Sequence, residues 1–220
     1  MSHRARLSLT ALAALSTLAG CGNLHPGAAV VAGDQTISIS QADDYTRDVC
    51  RVIQSDPRSK GTYPMEAIRR GVVRSLALRG VAEQLAEQYA VQPGSAYNQQ
   101  VKLYERNIVN VSDTERAHAV EVLTVTDYVQ DIVKAVGRKE LGNSVDDSSA
   151  AAKGEEILTQ WTLDHSVEFD PRFDLAMTDK GIESASSEVS TAVSDFATKA
   201  AAEQPDEAFV ASLPPSQRCG

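Results

Sequence analysis

Between Pro64 and Ala90, apolar residues recur at Met65, Ile68, Val72 and Leu76, then at Val81, Leu85 and Tyr89. Steps of three and four residues put them on one face of a helix. At 1.5 Å per residue the stretch amounts to about 40 Å of helix, enough for the spine of a domain. Pro64 suits its first position, where a missing N–H is no loss. Gly71 and Gly80 either weaken this helix or let a neighbour come close. Composition points the same way. Aromatic residues are 5 % of the 220-residue chain and Trp161 is its one tryptophan. Ala, Val and Leu supply the apolar surface, which suits packed helices better than a β-sandwich or an aromatic sugar-binding cleft. The length suffices for one domain with a real core.

Around this spine, other elements are legible. Val30-Val31-Ala32 and Thr36-Ile37-Ser38 flank Gly33-Asp34, a pair suited to a two-residue turn, so 28–38 reads as a hairpin. Ser40 offers a cap, with Asp43 as acidic partner, for a helix reaching about Gln54. The stretch 56–61 is a loop by composition. Pro93 marks the next helix start, and Tyr97, Val101, Tyr104 and Ile108 form its stripe. Ser112-Asp113-Thr114-Glu115 is a capping-box pattern. Val122, Val125, Val129, Ile132 and Val136 then predict one helix, ended by Gly137 or Gly142. A further helix covers 149–164, with Ile157, Leu158, Trp161 and His165 on one side. Ser166 to Phe169 alternates like a strand, and Pro171 ends it. Residues 174–204 are rich in Ala, Ser and acids. Over 184–203 this predicts at most a weakly amphipathic helix, with partial disorder.

The amino terminus reads as an export signal. Arg4 and Arg6 precede the short apolar run Leu7 to Thr17 and the small residues before Cys21. Leu18-Ala19-Gly20-Cys21 resembles the lipobox of bacterial lipoproteins. That resemblance implies a signal peptide over 1–20, lipid on Cys21, and a tether over 21–27. The expected location is therefore the extracytoplasmic side of the cell membrane, by lipid anchor. The formal net charge is −9, and losing Arg4 and Arg6 makes it more acidic. Such a balance argues against nucleic acid and against electrostatic docking on anionic lipid, leaving membrane attachment to the acyl chains. With Cys21 lipidated, Cys50 and Cys219 remain. In an exported chain they most simply pair, closing a loop whose entropy is worth at most about 5 kcal/mol. The pair would staple the tail to the first helix. The alternative is two free thiols.

Tests for chemistry return bland answers. His118 and His165 have no zinc-like spacing to Cys, His or carboxylate. Asp164-His165-Ser166 holds triad residue types, but adjacent residues at a helix end do not face one another. No nucleophile elbow, P-loop or dinucleotide fingerprint occurs. Asp43-Asp44 and Asp146-Asp147 fit cap or loop positions. Asn110-Val111-Ser112 is a sequon by letter, yet Ser112 is better used as a cap. The expectation is no catalytic residue, no cofactor and no metal, hence no enzyme.

The order of elements carries a resemblance. Val30-Val31-Ala32-Gly33-Asp34-Gln35-Thr36-Ile37, followed by a capped helix, resembles the start of SurA- and PrsA-type foldases. Val167-Glu168-Phe169-Asp170-Pro171-Arg172-Phe173 is similar to the returning strand of SurA N-terminal-like lipoproteins of actinobacteria, with Asp174 where glycine is expected. Leu213 to Gly220 resembles their ends. The resemblance implies a helical chaperone module over 28–173 and an Ala/Ser-rich tail over 174–220. The fold expected is mostly α: a bundle of long helices with a small antiparallel sheet formed by the hairpin and the late strand. The family's prolyl-isomerase domain has no room in the loop near 139–149, and the tail is expected to lack strands and the histidine signatures of that domain. The implied function is holding or assisting exported proteins, without isomerase activity, in a groove between long helices. Its partners would be unfolded or extended exported proteins. The alternative is an envelope scaffold that binds one specific protein. The stripes Leu76–Leu85 and Tyr97–Tyr104 fit core better than binding surface.

Overall fold

The computed structural model describes residues 25–185, 193–200, 202 and 205–220. Strands β1 (Ala28–Ala32) and β2 (Gln35–Ser38) pair antiparallel around Gly33, whose φ of 54° only glycine takes freely. Helix α1 (Ile39–Ser55) follows without a linker. Its cap is Ser38, not Ser40: the Ser38 hydroxyl accepts the Gln41 N–H at 3.0 Å. The last extended residue of β2 is the one with cap geometry, so Ser40 is already inside the first turn. Asp43 and Asp44 consequently lie within α1 rather than in a cap or loop.

A two-residue strand, β3 (Tyr63–Pro64), precedes α2 (Met65–Tyr89). Pro64 therefore stands just before the helix, paired in register with Arg218. The spine is as long as its periodicity predicts. Val72, Val73 and Leu76 enter one apolar cluster, with Val30, Ile37 and Phe173; Val81 and Leu85 enter a second, with Ile132, Val136 and Trp161. Helix α2 thus joins both halves of the core.

The chain continues through α3 (Ser95–Asn107), α4 (Asp113–Leu123), α5 (Val125–Leu141) and α6 (Asp147–Asp164). The Ser112–Glu115 capping box forms in full. The single helix expected through Val122 and Val136 is broken at Thr124, which has φ −102° and ψ 6°. Thr124 is fully buried, and its hydroxyl donates to the Val120 carbonyl at 2.7 Å. That bond competes with the helix ladder and bends the chain there. Gly142, not Gly137, ends α5. Asp146 caps α6 by accepting the N–H groups of Ser148 and Ser149, both at 3.0 Å, so that helix starts at Asp147, two residues before the predicted Ser149.

Helices α5 and α6 pack through glycines. A Cβ on Gly137 would collide with the Ala150 carbonyl, and one on Gly154 with the Val133 carbonyl. In α2, Gly80 leaves room for the Gln35 side chain, whereas Gly71 faces open space and admits no neighbour.

Strand β4 (Val167–Phe169) returns from the end of α6 and pairs antiparallel with β1, matching Val30 to Phe169 and Ala32 to Val167. The sheet order is β2-β1-β4. The architecture is the expected one, mostly helical with a small antiparallel sheet shared by the hairpin and a late strand. Asp174 adopts φ 51°, the left-handed conformation that explains a glycine preference there and that Asp tolerates.

The tail departs from expectation. It is not strandless: β5 (Leu175–Thr178) and β6 (Gly181–Ser184) form a second hairpin with Leu175 and Ile182 buried, and β7 (Arg218–Cys219) pairs with β3. Short helices α7 (Asp195–Ala200) and α8 (Glu207–Ser212) lie between them. Of the stretch 184–203, where disorder is expected, residues 195–200 form α7, while 186–192, 201 and 203 lie outside the described residues.

Candidate functional site

The last turn of α1, the end of α3 and the end of α4 wall a groove of about 540 Å³. Val52, Ile53, Tyr104, Ile108 and Leu123 give it aliphatic and aromatic sides. Leu123 is 44 % exposed and Val109 52 % exposed, high values for large apolar residues. The local sequence explains the shape. Ile108 closes α3, donating its N–H to the Tyr104 carbonyl at 2.9 Å, and is itself buried. Asn110 then turns the chain at φ 62°, and Ser112 opens α4. The Ser55 hydroxyl ties this turn to α1, donating to the Val52 carbonyl at 2.9 Å with the Val109 carbonyl 3.5 Å away. In the neighbouring loop, Asp56 and Arg58 satisfy each other through two 2.9 Å contacts, and Arg58, with the backbone N–H it offers, lowers the Asp56 pKa.

Helix α3, which contributes Tyr104 to the groove, has no buried residue among its thirteen. It is held near its start. The Tyr97 N–H donates to the Asp131 carboxylate at 3.0 Å, and Arg79 donates to the Tyr97 hydroxyl at 3.0 Å. The Tyr97 ring meets Tyr128 edge-on at 5.1 Å, and the Arg79 guanidinium sits 4.1 Å over the Tyr128 ring. Burial works against the Arg79 charge, but its bonds to Glu83 and Tyr97 outweigh that and raise its pKa. Arg79 is therefore a fixed cation that clamps α2 to α3 and α5.

The seam between α1 and α4 holds a polar cluster. The Tyr45 hydroxyl donates to Glu121 at 2.7 Å, His118 Nδ1 lies 2.6 Å from Asp48, and the Tyr45 and His118 rings stack at 3.8 Å. Burial first, then the bond to Glu121, push the Tyr45 pKa well above its ordinary value. The Asp48–His118 pair fastens α1 to α4. His165 stacks on Trp161 at 4.1 Å with Nδ1 2.9 Å from the Trp161 carbonyl, while Asp164 accepts from Gln160. The residues Asp164, His165 and Ser166 thus form no relay, as their adjacency predicted. Among the described residues no group of three or more His, Cys, Asp and Glu could hold a metal ion.

Of the site residues read from the sequence, Cys50 and Cys219 are joined in a disulfide with Cα atoms 5.6 Å apart. Cys219 is fully buried against the first helix, so the staple forms as expected. The tail is not held by the disulfide alone, however: Val210 and Leu213 are buried too. Cys21, the signal peptide and most of the tether lie outside the described residues. Among the described residues no helix is long and apolar enough to cross a membrane. The stripe Leu76–Leu85 is core. The stripe Tyr97–Tyr104 packs against the core, partly buried, and Tyr104 also lines the groove. Sequence reasoning missed Val109 and Leu123. Both are large apolar residues directly beside a striped position, out of phase with the helical period, and that mismatch was the available signal.

No family model, curated protein or solved structure matches the chain.

Proposed function

We propose that the protein is a lipid-anchored, extracytoplasmic holder of unfolded or extended segments of exported proteins, working without isomerase activity on a module of the SurA N-terminal-like kind. The observation that carries this reading is a groove with apolar sides and a polar rim of Asp56, Arg58, Arg106 and Asn107, bounded by a helix with no buried residue. Walls of Val52, Ile53, Ile108 and Leu123 offer contact without directional hydrogen bonds, so they discriminate weakly among apolar side chains. The Tyr97 clamp holds only the start of α3, so the far end, where Tyr104 is partly buried beside the groove, is the part free to shift and widen it. Lipid on Cys21 would hold this groove at the membrane surface, where exported chains emerge. Two further features support the resemblance. The late strand returns onto the amino-terminal hairpin. The connection between α5 and α6 runs only over 142–146, which leaves no space for an inserted catalytic domain.

The test is light scattering of two unrelated aggregating clients with the mature protein added. Both should be suppressed. Leu123→Glu should weaken suppression of both, whereas Leu163→Glu, at a 71 % exposed position of α6 outside the groove, should not. No suppression, together with a single partner in crosslinked pull-downs from membranes, would instead make the protein a dedicated envelope scaffold.

A further inference from the structure

A second cavity, of about 500 Å³, opens beside the start of α2 and the carboxy-terminal tail. Among the described residues Arg69, Arg70 and Arg172 line it, with Glu66 as an acidic neighbour and Phe173, Phe209 and Leu213 as apolar wall. Three arginines around one cavity are unexpected in a chain of net charge −9. Each is paired with one or two carboxylates. Asp43 lies 2.6 Å from Arg69, Glu66 and Asp174 lie 3.3 and 3.8 Å from Arg70, and Asp170 lies 2.9 Å from Arg172. These contacts use only part of the five-donor fork each guanidinium carries. The Nε groups of Arg69 and Arg70 are buried and have no hydrogen-bond partner among the described residues. Those Nε atoms lie out of a ligand's reach, so a phosphate would meet the outer guanidinium nitrogens, whose fork matches its oxygens. The Arg69 guanidinium also lies 5.1 Å over the Phe173 ring, which holds charge and apolar surface side by side.

The position of the cavity names the source of the phosphate. His25, the first described residue, lies in a crevice with Asp170 and Pro171. Arg172 and Phe173 follow directly in the chain and line the arginine cavity. Cys21 is four residues before His25, at most about 14 Å of extended chain. We infer that this cavity receives the phosphate of an anionic phospholipid, with the first methylenes of the lipid against Phe173, Phe209 and Leu213. The inference rests on the lipid-anchored reading of Cys21, which brings this end of the molecule to the membrane. It gives the membrane-facing end a second point of attachment and so fixes how the body is oriented. Recognition is local and works against the repulsion that the acidic remainder of the surface exerts on an anionic bilayer.

The experiment uses the mature chain carrying Cys21→Ser, so that no acyl group contributes, in flotation with vesicles. The protein should float with phosphatidylglycerol vesicles and not with vesicles of phosphatidylcholine alone. Arg172→Gln and, separately, Arg69→Gln should each cut flotation by about fivefold, the loss expected for one arginine near an anionic surface, with the thermal midpoint followed to confirm folding. Arg172 is the safer variant, because its side chain is 53 % exposed and its partner Asp170 is two residues away. No flotation, flotation unchanged by both substitutions, or saturable binding of inorganic phosphate without flotation would each overturn the inference. Acylation of the wild-type chain is read separately, from the mass of the membrane-extracted protein. An unmodified Cys21 beside intact flotation would remove the anchor and leave the cavity's role standing.

Discussion

Single residues set the most measurable properties of this fold. Glu115 completes the capping box of α4. The Ser112 backbone N–H, and after it Arg51, hold its carboxyl at about 2 against an ordinary 4.5. A folded pKa below the unfolded one contributes stability that is fully present above pH 4.5 and is lost as pH falls toward 2. Glu115→Gln should therefore lower the neutral-pH midpoint and converge with the unmodified protein as pH falls toward 2, which flattens the acid limb, as read from urea midpoints across the range. Parallel curves for the two proteins would count against the assignment. Gly154 gives a second test at this scale. Gly154→Ala should cost about 1–3 kcal/mol, because its methyl group has nowhere to go but into the Val133 carbonyl. Gly71→Ala, exposed in α2 with open space around it, should stabilise by about 0.5–1 kcal/mol. The capping box was legible because its residue types and spacing are their own evidence. Ser38 and Ser40 are both serines two residues apart, and only the end of β2 decides which one caps.

Elements were legible where they were long and periodic. Helix α2 shows its full period, and its ends fall within a residue of expectation. The break at Thr124 was invisible because the valine period continues through it; the cause is a buried hydroxyl bonded to a backbone carbonyl, and burial is a tertiary fact. The β5–β6 hairpin was missed because each strand has only four residues, set among Ser and Ala that signal a loose tail. The late strand β4 was legible as a strand, but its partner came from family resemblance. Helix α3 is the element on which the proposed function depends. With no buried residue, its amides should exchange with solvent faster than those of α2 and α5. Hydrogen exchange followed by mass spectrometry would show this directly, and protection equal to that of α2 would mean the groove cannot widen as argued.

Across the whole molecule, two closures make the architecture. Strand β4 brings residue 169 back beside residue 30, and the Cys50–Cys219 disulfide brings the last turn of chain back to α1. Between them runs a spine helix that contributes to both halves of the core, leaving the α3 side open as a groove. The candidate site was the least legible part, since a groove is a product of packing and its exposed residues obey no spacing rule. The central claim is that apolar segments of client proteins bind in the groove beside α3. A photo-crosslinking amino acid placed at Val109, inside the groove, and in a separate variant at Leu163, which is exposed on α6 outside it, tests that claim most directly. The account predicts that several unrelated unfolded clients are captured from position 109 and not from position 163, and that their folded forms are captured from neither. Equal capture from both positions, or none from position 109, would contradict it.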